Sequence, residues 1–243
     1  GAQVELADAP GGIEVRWAGG SVVVDKVIAA IGRRPNLEGL GLETLGVPLD
    51  DRGMPEVDPE TMRIGDTPVL LAGDADGHRP LLHEGADDGH IAGLNATSDS
   101  PIRLPRRTPL SVVFSDPQIA AVGEQLPDLD PAGIFIGEVS YASQGRARTM
   151  QQNRGLLRLY AARADGRLLG AAMAAPAAEH TAHLLALAVG RKLTVHDLLR
   201  MPYYHPTLEE GLRTALRAIG RQLPPCSISD LAGCGSLGAE ALE

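Results

Sequence analysis

The sequence predicts a mixed α/β segment followed by an α+β unit, and three observations carry that reading. In the first hundred residues, short apolar runs stop at glycine turns, as strands buried in a sheet do, and one of them leads into a stretch with helical period. Beyond about residue 109, strand-like segments come first and helices after, which is the order of an α+β domain. Between the two lies SDSPIRLPRRTP, whose three prolines mark a linker.

Composition narrows the function. With 243 residues, 44% of them apolar, the chain can build a real core. Acidic residues outnumber basic ones by 31 to 22, and the Lys and Arg residues are scattered rather than gathered into a stripe, so nucleic acid is not an expected partner. No apolar run approaches the roughly 20 residues of a spanning helix, and no basic stretch leads into an apolar one at the start. A soluble, cytoplasmic protein with no membrane partner is expected. Cys226 and Cys234, in a Gly/Ser-rich tail, suggest neither a disulfide scaffold nor a zinc site. His78, His90, His180, His183 and His196 show no metal-ligand spacing, so no metal is expected.

In chain order, Ile13, Val15 and Trp17 alternate with Glu14 and Arg16, and the pattern resumes as SVVV after Gly19-Gly20, predicting an antiparallel hairpin or meander. VDKVIAAIG predicts a short apolar strand, ended by GRRPN. PVLLA, residues 68–72, predicts a strand buried on both faces, stopping at Gly73-Asp74. LLHEGADDGHIAGLNA predicts a helix with Gly85, Gly89 and Gly93 on one face. Each glycine there costs roughly 1 kcal/mol against Ala, so something is expected to approach that face closely. After the linker, TPLSVVFSDPQIAAVG, IFIGEVSYA and GLLRLYAARADGRLLGAAMA predict strands, the last two joined through Asp165-Gly166. AEHTAHLLALAVGR, TVHDLLR and LEEGLRTALRAIGRQ predict helices, the last with Leu208, Leu212, Ala215, Leu216 and Ile219 on one face.

Three separated motifs then carry a resemblance. AIGRRPN (residues 30–36) is similar to the segment that returns the chain from the NAD(P) domain to the FAD domain in the pyridine nucleotide-disulfide oxidoreductase family. TPVLLAGD (67–74) is similar to that family's second flavin-binding motif, and YHPTLEE (204–210) resembles the C-terminal active-site signature of its dihydrolipoyl dehydrogenase branch. VVFSDPQIAAVG (112–123) looks like the first strand of the family's dimerisation domain. The resemblance runs from about residue 3 to 222, but members are roughly twice this length. Their N-terminal half carries a GxGxxG loop and a Cys-x4-Cys redox pair, and neither occurs in the body of this chain. The chain therefore resembles a C-terminal portion.

The resemblance implies domains at 1–59 (end of the NAD(P)-binding domain and return linker), 60–105 (C-terminal segment of the FAD-binding domain), 106–225 (dimerisation domain) and 226–243 (tail). It implies FAD and NAD(P) as cofactors, a homodimer, and a small dithiol or a lipoyl-bearing protein as substrate. Gly73 and Asp74 would sit at the flavin, the Asp74 carboxylate accepting from ribityl hydroxyls; the plain alternative is a turn. The helix beginning near Leu82 and His83 would aim its amides at the flavin pyrimidine edge, and Gly32 would let the backbone approach the nicotinamide. His205 would be the base that ionises a thiol and Glu210 its orienting carboxylate, since a free thiol has a pKa near 8.5. The spacing of Thr207 and Glu210 is equally that of a helix capping box. Two alternatives stay open: a mercuric-reductase-like or other disulfide reductase, and a dimerisation module without flavin.

Overall fold

Residues 2–224 are described in a computed structural model of the chain, which divides into two units, Gly1–Arg103 and Leu104–Glu243. Cys226 and Cys234 lie outside the described residues.

The first unit opens with the expected meander: β1 (Glu5–Ala9), β2 (Gly12–Trp17) and β3 (Gly20–Val24), each antiparallel to the next. Val15 stands opposite both Leu6 and Val22, and Ile13 opposite Val24, so strict alternation gathers these apolar side chains on one face. Nothing among the described residues buries that face, for Leu6 and Val22 are exposed.

The structure corrects two strand expectations here. VIAAIG forms no strand, and Ile28 and Ile31 are 90% and 94% exposed. PVLLA is not a strand of a parallel sheet either. Its middle residues pair antiparallel with the segment just before them, Ile64 N–H donating to the Val69 carbonyl at 3.0 Å and Leu71 N–H to the Met62 carbonyl at 2.9 Å. The reason is the same in both cases. Every strand N–H and C=O needs a partner, and a parallel sheet requires neighbouring strands that the described residues do not supply. Apolar composition predicted burial, but the partners decide the pairing. Met62 and Ile64 are instead buried, as is Ile91 of α1 (Leu82–Ala96). Asn95, buried near the end of α1, brackets Ile102, donating to its carbonyl at 2.9 Å and accepting its N–H at 2.8 Å. Arg103 then reaches Asp58 at 2.7 Å and Glu60 at 2.9 Å.

The second unit is an α+β sandwich. Strands β4 (Leu110–Val113), β5 (Gln118–Gly123), β6 (Ile134–Ser140), β7 (Leu156–Ala162) and β8 (Leu168–Ala175) form one antiparallel sheet in the order β4-β5-β8-β7-β6. Between β6 and β7 lies α2 (Gly145–Thr149), which the sequence reading missed because five residues show no helical period. α3 (Ala178–Gly190), α4 (Val195–Leu199) and α5 (Glu210–Gly220) follow the sheet, as expected. α3 packs on β5 and β8, and α5 packs on β6 and β7. Alternation turns Leu157, Leu159 and Ala161 of β7 inward, where they meet the fully buried stripe Leu212, Ala215, Leu216 and Ile219 of α5.

Gly137 on β6 sets how near α5 comes to the sheet. A Cβ at this position would overlap the Ala215 carbonyl oxygen and sit 2.7 Å from Ile219 Cγ1. Gly137→Ala should therefore destabilise the second unit by about 1–3 kcal/mol, the usual cost of forcing an extra methyl into a packed core. Chemical denaturation followed by far-UV circular dichroism measures this, and an unchanged midpoint would show that α5 shifts at no cost.

Candidate functional site

The loop between α4 and α5 carries the YHPT motif, and both flanking helices are fixed. Thr194 and Asp197 close a capping box at the start of α4. Tyr203 O–H donates to the Leu198 carbonyl at 3.2 Å, and the buried stripe of α5 anchors the far side. Within the loop, Thr207 O–H donates to the Tyr204 carbonyl at 2.8 Å and closes a tight turn around His205 and Pro206.

His205 and Glu210 meet across that turn. The imidazole Nδ1 lies 3.0 Å from Glu210 Oε1 and 3.2 Å from Oε2, and Oε2 also accepts the Thr207 N–H at 3.0 Å. A carboxylate offers only acceptors, so Nδ1 must carry the proton in this pair, and Nε2 is the ring nitrogen that exchanges one. The imidazole is 79% exposed while the carboxylate is 27% exposed. Burial pushes the Glu210 carboxyl up, but the bonds from His205 and Thr207, with the charges of His205 and Arg213, together hold the group below the ordinary carboxylate range.

The capping box expected of Thr207 and Glu210 is half formed. Glu210 reaches back to the Thr207 N–H, but the Thr207 hydroxyl is spent on Tyr204 and caps nothing, and α5 begins with Glu209 at its N-cap without a side-chain bond. One carboxylate thus serves the cap and the imidazole together. Glu209, the neighbouring carboxylate, is felt elsewhere. It adds to the burial that pushes the Tyr141 phenol up to about 12.

In the first unit, the structure brings the two earlier motifs together. Arg33 of GRRPN makes an ion pair with Asp74 at 3.1 Å, and a Cβ on Gly77 would lie 3.3 Å from Pro35. The chain turns at Gly73 with φ +75°, the left-handed region that glycine enters without strain. Buried Asp88 of α1 accepts the Gly73 N–H at 3.1 Å and holds the turn against the helix. The α1 glycine face meets a neighbour only at Gly85, where a Cβ would lie 3.5 Å from Gly73 Cα; at Gly89 and Gly93 it is open. No close approach among the described residues accounts for those two glycines. Leu82, 91% exposed, and His83, also exposed, occupy the first turn of α1, which no side chain caps. Gly32 has φ +101° with open space around it.

Sequence reasoning missed three residues of these regions: Arg33, Asp88 and Gln144, which donates to the Thr207 carbonyl at 2.6 Å. Arg33 lay inside a motif already singled out. Asp88 and Gln144 act across 15 and 63 residues, a separation that leaves no local pattern to read. Among the described residues, no group of three His, Cys, Asp or Glu side chains could hold a metal ion, and no helix is long and apolar enough to cross a membrane.

The fold is that of the disulfide oxidoreductases that join FAD and NAD domains to a C-terminal dimerisation domain. The chain belongs to the pyridine nucleotide-disulphide oxidoreductase family: residues 110–216 match its dimerisation domain and residues 1–89 match its pyridine nucleotide-disulphide oxidoreductase domain. It is 34% identical over 203 residues to a dihydrolipoyl dehydrogenase of Thermus scotoductus, covering 83% of this chain and 43% of that one. It is 31% identical over 210 residues to the Bacillus subtilis dihydrolipoyl dehydrogenase, covering 85% and 44%. Among solved structures, LpdA from Mycobacterium tuberculosis superposes with a TM-score of 0.74 at 27% identity, over 90% of this chain and 48% of that one. The HOCl-induced flavoprotein disulfide reductase RclA of Escherichia coli shares the fold, with a TM-score of 0.73 at 23% identity, over 89% and 50%. The chain spans less than half the length of the curated relatives it matches here.

The depressed ionisation of Glu210 gives a pH signature. Its folded value lies below the ordinary 4.5, so the stability it adds is complete above 4.5 and is lost as pH falls through the lower folded value. Glu210→Ala should cost about 0.5–2 kcal/mol at neutral pH, the range for a lost helix-start contact. Parallel denaturant titrations of parent and variant should show that gap closing as pH drops below 4.5. A gap that stays constant with pH would mean that the carboxylate charge contributes nothing.

Proposed function

We propose that this chain is the C-terminal portion of an FAD-dependent oxidoreductase that moves electrons between a dithiol of the dihydrolipoamide kind, small or borne on a lipoyl protein, and NAD(P). The observation that carries the reading is the His205–Glu210 pair, with Nδ1 held by the carboxylate and the ring exposed. In that role, His205 Nε2 takes the proton of the incoming thiol, and Glu210 fixes the tautomer and steadies the imidazolium that results. The disulfide that accepts the electrons comes from residues outside this sequence, which has no Cys-x4-Cys pair, so the chain alone is expected to be inactive.

The residues of the first unit fit a flavin. Asp74 offers a half-exposed carboxylate beyond the Gly73 turn, the first turn of α1 around Leu82 and His83 has no side-chain cap among the described residues, and Gly73 leaves open the space a Cβ would take. FAD, when bound, supplies two-electron chemistry between the disulfide and NAD(P). Asp74 would hold ribityl hydroxyls, and Gly32 would let the backbone approach the nicotinamide. The uncovered apolar face around Leu6 and Val22, with exposed Ile28 and Ile31, supports a longer protein whose other residues cover them.

A homodimer belongs to the same reading, the dyad of one subunit serving the disulfide of its partner. Val113 and Ile119 face each other across β4 and β5 and are exposed together with Phe114, giving the second unit an apolar patch suited to a second copy.

In the full-length protein, His205→Ala should slow dithiol oxidation by about 10²- to 10⁴-fold with flavin content unchanged, the range for a lost general base. Parent-like turnover across the neutral pH range would remove His205 from the reaction. Asp74→Ala should weaken flavin retention by roughly 1–3 kcal/mol, read from flavin absorbance after dialysis; full retention would take Asp74 out of the site. Sedimentation at micromolar concentration should give a dimer. A yellow dimer supports the flavoenzyme, a colourless dimer supports a plain dimerisation module, and a monomer counts against both.

A further inference from the structure

We infer that Gln144 is a positioning residue for the His205–Glu210 pair, holding in place, from a distant segment, the loop that carries the imidazole. The inference deepens the proposed function and rests on it wherever turnover is the readout.

The imidazole is too exposed for packing to orient it, so its direction is set by the backbone beneath it. That backbone is fastened through Thr207. Its N–H goes to Glu210 and its hydroxyl to the Tyr204 carbonyl, both within the loop, but its carbonyl is taken from outside, by Gln144 Nε2 at 2.6 Å. The other end of the same amide is also engaged. Gln144 Oε1 accepts the Ala147 N–H at 2.7 Å and caps α2. A planar amide is the side chain that offers an acceptor and a donor at a fixed separation, so one residue locks the α2 turn to the His-Pro-Thr turn.

A second contact comes from the same segment. Tyr141 is buried, and its ring lies so close to Gly211 that a Cβ there would sit 3.1 Å from Cζ. The stretch from Tyr141 to Gln144 therefore grips the chain on both sides of Glu210, at Thr207 and at Gly211. Loosening the Gln144 grip frees the turn that sets the separation of Nδ1 from the carboxylate, and a misplacement of about 1 Å can cost on the order of 10²-fold in rate.

Two variants separate positioning from plain support. Gln144→Glu retains the oxygen that caps α2 but loses the donor to Thr207, while Gln144→Met loses both bonds at similar length. In the present chain, ¹⁵N chemical shifts of the His205 ring report which nitrogen carries the proton, a property that needs no substrate and no flavin. The Nδ1–H share should fall in both variants, while the thermal midpoint of Gln144→Glu stays at the parent value. In the full-length holoenzyme, kcat for dithiol oxidation should fall about 10-fold or more with KM little changed. Should Gln144→Met fail to fold, Gln144→Glu decides alone. A parent-like tautomer share in Gln144→Glu overturns the inference, as does a parent-like kcat in a protein that His205→Ala inactivates. If His205→Ala itself remains fully active, the enzymatic reading fails, and the tautomer measurement still judges Gln144.

Discussion

The Glu210 carboxylate is shared among three demands, and the geometry of the site follows from how they are met together. It accepts from the His205 ring, accepts the Thr207 N–H, and stands in the first turn of α5, where the helix dipole favours negative charge. Each demand alone would leave the side chain a range of positions. Together they leave one, and the imidazole inherits its direction from it. Burial pushes the carboxyl up, and the bonds from His205 and Thr207, together with the charges of His205 and Arg213, hold it below the ordinary carboxylate range. A carboxylate placed there by a capping contact is ready-made to orient a base, so cap and dyad are one construction.

That construction is only as firm as the helix beneath it. α5 is seated by its buried stripe and by the absence of a side chain at Gly137, which lets the helix backbone lie against β6. The sheet, α5 and the loop therefore form a single mechanical series, in which a methyl group on β6 would displace a carboxylate at the start of α5. The Tyr141 segment, which follows directly from β6, closes the series from the other side by touching Gly211 and, through Gln144, Thr207. An exposed histidine can thus be held as firmly as a buried one, provided the backbone on which it stands is fixed.

The first unit shows the opposite condition. Its motifs meet, Arg33 on Asp74 and Asp88 on the Gly73 amide, yet its apolar meander face and the VIAAIG segment are uncovered. Nothing among the described residues covers that apolar surface. This is where the sequence reading of secondary structure went wrong. A parallel strand is a property of at least two segments, and an apolar run deprived of its neighbour pairs locally, as Val69 to Leu71 do with Met62 to Ile64, or not at all.

Local patterns are legible in the sequence wherever one segment carries both halves of an interaction. The β1–β3 meander, the strands and the last three helices of the second unit, and the inward stripe of α5 are all of that kind, because alternation and helical period act within a few residues, whereas the pairing of His205 with Glu210 was expected only from the family resemblance. The tertiary structure alone decided that Glu210 could serve both cap and imidazole, that the Thr207 hydroxyl would turn to Tyr204, that Arg33 would reach Asp74, and that Gln144 would hold Thr207 from 63 residues away. Hydrogen bonds of this sort demand an angle and a distance near 3 Å, and those are fixed only after the sheet and α5 have packed.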